Sequence, residues 1–557
     1  MRTLERIHNT LVDAGFHPRY TGIRTRYYGN LECAGRRFPA WVEIPDPDLI
    51  QHPTIALETR PADIPLICAH IQTNGHICYS TAGRDVIDPY KADEHILACL
   101  RDAQAVLCKA LEGDCLNDTQ IEFDAYWKGT LHLVADVGTG DAGGWVKLFE
   151  VKIGDKFRFY LAADDSSAYE SAGYSATLCS QSVYITSTRN APFAFHGDWP
   201  PQTLGQLVTW LKAIDNGLLY KALRNAIQER HSEGHALTLL VRSPGAWWGV
   251  ILATDKARWK TFKDSRRWAN HVFKYGQDWS ITRLLVSRTD PSYLIERNLG
   301  SRAGLRGRRL LLVGCGTIGG YLADLLVRAG AGVGGARSEL VICDSDVLFP
   351  GNIGRHYLGL NYLYQPKADA MAKQLAMAFP YARVTGINRD ARTVNLSAFD
   401  IVIDATGSEG LSLALNSRLQ ALERFVPSVF VWNEAGGVAS QCLLVDTPKA
   451  ACYRCLTDRN GHPRFSPLQN PGDDPFVSGP CDSAYVPYPA MVSMQAAALA
   501  ARLILDWADG RPGKRLRTLT HDHEQGKIVR DTTPERTSQC PACSHANGNS
   551  RTADSFS

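Results

Sequence analysis

The 557-residue chain has no apolar run of the ~18–20 residues that a membrane-spanning helix needs, so no such span is expected. It has little excess charge: 60 Lys and Arg stand against 57 Asp and Glu, a net +3. That balance argues against a nucleic-acid partner. The opening "MRTLERIHNTLVDAGF" reads as an amphipathic helix, so a secretory leader is not expected there. No internal repeat of solenoid period is visible. These absences predict a cytoplasmic protein. With 45% hydrophobic and 21% charged residues the chain can build ample core, and its length predicts two to four domains.

What the chain does have is cysteine, 15 in all. In a reducing compartment these should be mostly thiols, so they divide into core residues, metal ligands and nucleophiles. "CYRC" places Cys452 and Cys455 in one CxxC pair, and "CPAC" places Cys540 and Cys543 in another. Two such pairs present four thiolates to one tetrahedral ion, which predicts a structural zinc site. Cys33, Cys68, Cys99, Cys108, Cys115, Cys179, Cys315, Cys343 and Cys442 read as core or idle. Cys78 and Cys481 need separate treatment.

Periodicity divides the chain. Residues 1–115 give a helix, the strand-like runs "YTGIRTRYYGNLEC", "RFPAWVEI" and "TIALET", a proline-marked loop "PDPDLIQHP", and then a helix "ADEHILACLRDAQAVLCKAL", an α+β order. Residues 116–295 are mixed α/β, with "GGWVKLFEVKI" and "WWGVILAT" as strands and "LGQLVTWLKAIDNGLLYKALRNAIQER" as helix. From 296 to 545 a βαβ rhythm predicts a Rossmann-type, mainly parallel sheet: "LLLVG", "LVICD", "DIVIDAT" and "PSVFVWNEA" alternate with helices. The small, polar tail 546–557 is expected to be disordered.

Within "LLLVGCGTIGGYLADLLVRAG", Gly314, Gly316 and Gly319 form GxGxxG between a strand and a helix. Such a turn aims a helix N-terminus at a phosphate. Asp344, at the end of the next strand, suits ribose hydroxyls in NAD and ATP proteins alike. Asn352, Arg355 and Lys367 follow. Cations there suit an ATP enzyme that must neutralise departing pyrophosphate; solvated surface charges are the alternative for Arg355 and Lys367.

The combined run "GCGTIGG…DSDVLFPGNIGRHYLG…QPK" resembles the ThiF-like and ubiquitin-activating superfamily, over roughly residues 296–545. Members adenylate the C-terminus of a small protein. The resemblance implies that Gly314, Gly316 and Gly319 hold phosphates, that Asp344 holds ribose, and that Asp346, Asn352, Arg355 and Lys367 surround the triphosphate. Arg297, in "LIERNLG", is similar to the arginine the family presents before the glycine turn, often across a homodimer. His356 replaces the family's usual glutamine, and Gly407 replaces its magnesium-binding aspartate. Asp404, Asp346 and Glu409 are then the candidates for Mg2+, which ATP chemistry requires. The same family carries the two CxxC pairs.

Cys481 lies in a Pro/Gly/Asp-rich loop before a long apolar helix. By position it resembles the superfamily's crossover-loop cysteine, which takes the activated carboxyl; an idle thiol is the alternative. Cys78, in "AHIQTNGHICYS", resembles the active cysteine of the ubiquitin-conjugating fold, and residues 1–115 follow that fold's order. His70 stands where the conjugating family has its oxyanion asparagine, and histidine can donate a hydrogen bond or act as a base.

The two resemblances together imply a fused activating–conjugating enzyme like those of bacterial CBASS anti-phage operons. They imply ATP, magnesium and zinc as cofactors. The substrate would be the C-terminus of a cGAS-like nucleotidyltransferase or of a ubiquitin-like protein. A sulfur-carrier adenylyltransferase, with a persulfide on Cys481, and a non-catalytic nucleotide-binding scaffold stay open.

Overall fold

The computed structural model describes residues 3–21, 24–46, 49–64, 68–72, 74–80, 88–113, 123–127, 129–138, 143–154, 157–192, 199–229, 236–262, 265–469 and 486–543. It is a mixed α/β structure, as expected, and falls into two compact units: residues 1–166 with 174–290, and residues 167–173 with 291–557. Among the described residues no helix is long and apolar enough to cross a membrane.

The first unit opens with the helix Thr3–Asp13 and an antiparallel meander of β1 (His17–Thr21), β2 (Arg24–Cys33), β3 (Arg36–Glu43) and β4 (Thr54–Leu57). The run read as one strand, "YTGIRTRYYGNLEC", is therefore a pair, with β1 folded back on β2. Phe38, Ala40 and Val42 alternate inward along β3. The helix Ala92–Leu111 lays Ile96, Cys99, Leu100, Ala103 and Leu107 onto the same core. That packing brings Cys33, at the end of β2, to Cys108 on the helix, Cα to Cα 5.6 Å, and the two are joined as a disulfide. Both belong to the core, as one of the two readings had it, but their pairing was not expected: it spans 75 residues and left no local sequence signal.

The same unit contains a closed barrel of β5 (Leu131–Asp136), β6 (Gly144–Ile153), β7 (Phe157–Ala163), β8 (Ser175–Ser187), β9 (Ala236–Arg242), β10 (Trp247–Ala253) and β11 (Ile281–Arg288). β5 lies parallel to both β7 and β11. The stretch read as one helix breaks into Leu204–Ile214 and Leu218–Glu229. Asn216 and Gly217 take φ of +55° and +84°, and the Asp215 carboxylate caps the Leu219 N–H at 3.0 Å. A short helix, Phe123–Trp127, fastens this region at both ends: Trp127 Nε1 donates to the Leu284 carbonyl, and Tyr126 Oη donates to the Cys68 carbonyl at 2.9 Å.

The second unit is built on a seven-stranded sheet: β12 (Arg309–Val313), β13 (Glu339–Cys343), β14 (Val384–Ile387), β15 (Ile401–Asp404), β16 (Ser428–Glu434), β17 (Ala439–Val445) and β18 (Leu516–Thr520). The spatial order is β14-β13-β12-β15-β16-β17-β18, parallel from β14 to β16 and antiparallel from there. The chain order reverses at β12, between β13 and β15, and the glycine turn follows β12. Ligand crevices form at such switch points, beyond the carboxyl ends of the strands.

Candidate active site

At the end of β12, Gly314 takes φ +88°, and a Cβ there would meet the Thr406 backbone at 2.9 Å. A Cβ on Gly319 would lie 1.9 Å from the Gly314 carbonyl oxygen. The helix Thr317–Arg328 can thus rest on the turn only because both positions lack side chains. Gly316 is the N-cap residue, and its α-carbon has open space. The turn borders two cavities that share Gly316 and Thr406 as lining, one of about 480 Å3 and one of about 660 Å3.

Asp344, Asp346 and Lys367 join Gly314 and Gly316 around the smaller cavity. One Asp344 carboxylate oxygen accepts the Cys315 N–H at 2.6 Å and the other accepts the Asp346 N–H at 2.7 Å. The carboxylate is thereby locked to the glycine turn. Lys367 opens the helix Lys367–Ala378 and is buried, and its Nζ lies 2.9 Å from Asp346 Oδ2. Cys315, within the turn, is fully enclosed; burial pushes its thiol well above the usual range, which suits an inert core residue.

The other residues of the set stand further out. Asn352 Oδ1 accepts the Phe349 N–H at 2.9 Å and so closes a single turn, Pro350–Asn352. Arg355 donates to the Val486 carbonyl at 2.8 Å and lies 4.3 Å over the Tyr488 ring. Tyr488 Oη in turn meets Thr317 Oγ1 at 3.1 Å, and both Val486 and Tyr488 line the larger cavity. Arg297 lies on the helix Pro291–Leu299 and donates to Tyr293 Oη one turn away. Asn352, Arg355 and Arg297 are not among the residues lining either cavity.

His356 is buried behind the turn. Its Nδ1 accepts the Leu358 N–H at 3.0 Å, so the proton sits on Nε2, which donates to the Cys315 carbonyl at 2.7 Å. Glutamine, the usual residue in the resembled family, offers the same acceptor–donor pair. Burial lowers the His356 pKa and favours the neutral ring.

The magnesium candidates do not converge. Asp404 accepts from Thr406 N at 3.0 Å, Thr406 Oγ1 at 2.7 Å and Ser412 Oγ at 2.6 Å, and burial raises its pKa. It is closed to an ion. Asp346 lines one cavity and Glu409 the other. Gly407 takes φ +64°, a conformation that disfavours a side chain, so the family's aspartate is absent where the backbone suits glycine. Among the described residues the carboxylates form no magnesium cage.

The four paired cysteines do converge. Cys452, Cys455, Cys540 and Cys543 are all buried, with sulfurs within 4.8 Å of one another. Three Sγ–Sγ separations are 3.6, 3.7 and 3.8 Å. A tetrahedral zinc with bonds of about 2.3 Å sets its sulfurs about 3.8 Å apart, so the group fits that ion. Asn416 buttresses it, donating to Cys452 Sγ at 3.6 Å and accepting the Tyr453 N–H at 3.1 Å. Among the described residues no other group of three or more ligands was found.

In the first unit, Cys78 is exposed. Its N–H donates to the His70 carbonyl at 2.7 Å, and a turn closed by Gly75 N–H to Gln72 O lies between them. His70 sits at φ +67°, so its backbone makes the bend. The side-chain amide that reaches the sulfur is Gln72, whose Nε2 donates to Cys78 Sγ at 3.8 Å. Sequence reading passed over Gln72; the only signal was its place in the "QTNG" turn. Cys481, Cys115 and the tail lie outside the described residues.

Comparison with known proteins follows this division. A model of the ThiF family matches residues 296–542, and one described as Prokaryotic E2 family B matches residues 20–134. The ATP-dependent ubiquitin transferase-like protein Cap2 of Pseudomonas aeruginosa is 33% identical over 527 residues, 93% of this chain and 94% of its own. The protein of the same name from Vibrio cholerae is 28% identical over 503 residues, 81% of this chain and 84% of its own. A crystal structure of E. coli MccB overlaps 45% of this chain and 68% of its own, with 17% identity and a TM-score of 0.34.

Proposed function

The chain belongs to the Cap2 family of ATP-dependent ubiquitin transferase-like proteins, an activating and conjugating enzyme in one polypeptide, and from that premise we propose a two-cysteine relay. A substrate carboxylate oxygen attacks the α-phosphorus of ATP, and pyrophosphate leaves. The Cys481 thiolate attacks the acyl-adenylate carbon and AMP leaves. The Cys78 thiolate then displaces that of Cys481. A target amine attacks the Cys78 thioester, loses a proton to solvent and releases the thiolate.

The observation that carries this reading is the pair of cavities meeting at Gly316 and Thr406. Adenylation needs two substrates in contact, a nucleotide and a carboxylate. The smaller cavity, with the glycine turn, Asp344, Asp346 and Lys367, suits the nucleotide; Lys367 supplies charge against pyrophosphate. The larger suits the arriving chain terminus. Asn352, Arg355 and Arg297 would join the site from outside the cavity walls, Arg297 across a homodimer. The four-cysteine group would hold zinc and tie the segment at 452–455 to that at 540–543, a structural role.

The functional division is residues 1–115 for conjugation, 116–295 as linker and 296–545 for activation. The modified protein is the C-terminus of a cGAS-like nucleotidyltransferase in a cytoplasmic anti-phage system, as the CBASS resemblance suggests. The scaffold reading falls with membership of an enzyme family. The sulfur-carrier reading has no use for Cys78.

The test is ATP–pyrophosphate exchange. Labelled pyrophosphate should enter ATP only when a polypeptide with a free C-terminal carboxylate is present. Equal exchange with C-terminal amides would overturn the reading.

A further inference from the structure

Asn433 ends a hydrogen-bonded chain that runs from the residue after β18 across β17 to β16. It lies near the end of β16, directly opposite Ser440 on β17. The fully buried Ser440 hydroxyl donates to Asn433 Oδ1 at 2.7 Å. Ser440 has one proton to give, so its contact with His521 Nε2, also 2.7 Å, is a donation from the imidazole. His521 directly follows β18. The chain His521 to Ser440 to Asn433 occupies the amide oxygen.

The other end of that amide is left over. Asn433 Nδ2 is buried and has no hydrogen-bond partner among the described residues. Unpaired buried amides are rare in folded proteins and call for an explanation. Asn433 lines the larger cavity, the one that touches the glycine turn. Two neighbouring donors there are already engaged. Gln441 Nε2 donates to Thr518 Oγ1 and the Phe465 carbonyl, and Trp432 Nε1 donates to Glu434 Oε1.

We propose that Asn433 is a positioning residue for the substrate, its Nδ2 donating to a main-chain carbonyl of the C-terminal segment in the larger cavity. This rests on the adenylation reading and deepens it. The acceptor is a main-chain carbonyl and not the terminal carboxylate, which must reach the nucleotide in the smaller cavity past Gly316 and Thr406. Ser440 and His521 act through Asn433 by holding its orientation. The partner is thus an extended peptide end, held by its backbone before its carboxylate reaches ATP.

The probe is a pool of random decapeptides with free C-terminal carboxylates, with the same pool as C-terminal amides for a blank. Wild-type full-length protein should show pyrophosphate exchange with the acids alone; exchange with neither pool sinks the adenylation reading and Asn433 with it. Asn433→Asp keeps the acceptor for Ser440 but loses the donor, and Asn433→Leu loses both. Both should raise the half-saturating peptide concentration at least tenfold, with half-saturation in ATP unchanged. Ser440→Ala should give a smaller rise of the same kind. If wild-type exchange is present and Asn433→Asp binds peptide as wild type does, the donor assignment is overturned. Loss of ATP and peptide saturation together in both Asn433 variants would overturn it as well, since the residue would then be serving the fold.

Discussion

Lys367 and Asp346 hold each other twice: Lys367 Nζ lies 2.9 Å from the Asp346 carboxylate, and the Lys367 N–H donates to the Asp346 carbonyl, also at 2.9 Å. The lysine side chain is buried while the aspartate is largely exposed, so the ammonium is fixed at the wall of the smaller cavity. A preorganised cation there costs no reorganisation when pyrophosphate charge develops. Lys367→Ala should lower substrate-dependent pyrophosphate exchange by roughly 100-fold or more. Lys367→Arg should recover part of it. Initial-rate measurements at saturating ATP check this.

Zinc should accompany the purified protein at one ion per chain. Cys452→Ser should abolish that stoichiometry and lower the melting temperature of the second unit, because the binding free energy of a structural zinc is also folding free energy. Elemental analysis paired with calorimetry reads both.

The buried His356 gives the activating unit an acid limit. An unfolded imidazole titrates near 6.5, and the folded one titrates lower because burial disfavours its charge. Between the two values the unfolded chain binds the extra proton. Stability is therefore complete above about pH 6.5 and is lost as pH falls from there through the folded value. His356→Gln keeps both hydrogen bonds and removes the titration. Its stability profile should be flatter between pH 5 and 7, as urea denaturation across that range would record.

Gln72 should matter to the conjugating half and not to the activating half. Its amide donates to the Cys78 sulfur, and such a donor can stabilise a thiolate or the oxyanion that forms beside it. Gln72→Leu should slow discharge of a Cys78 thioester to an added amine by about 10–100-fold. Pyrophosphate exchange should be unaffected. Single-turnover discharge from preloaded enzyme separates the two.

Local motifs were legible in the sequence. GxGxxG between an apolar strand and helix can close in few ways, so Gly314, Gly316, Gly319 and Asp344 fell where expected. Two CxxC pairs met across 84 intervening residues because each pair is rigid by itself. The barrel was not legible, since β5 finds its partner β11 about 150 residues away, and no local period encodes that pairing. The break at Asn216–Gly217 did have a signal, the dipeptide itself, overridden by strong helical periodicity on both sides. Gln72 had only its place in the turn before Cys78, and Asn433 had no signal: an unpaired amide is visible only once its neighbours are paired. His70 occupies the expected place beside Cys78, and its main-chain carbonyl accepts the Cys78 N–H.

The relay itself is tested by two single variants with ATP and the true protein substrate, read on a non-reducing gel. Cys78→Ala should accumulate a reducible adduct on Cys481 and go no further. Cys481→Ala should still support pyrophosphate exchange yet carry no adduct on either cysteine. A Cys481→Ala protein that charges Cys78 would contradict the account, because the conjugating cysteine would then take the acyl group directly from the adenylate.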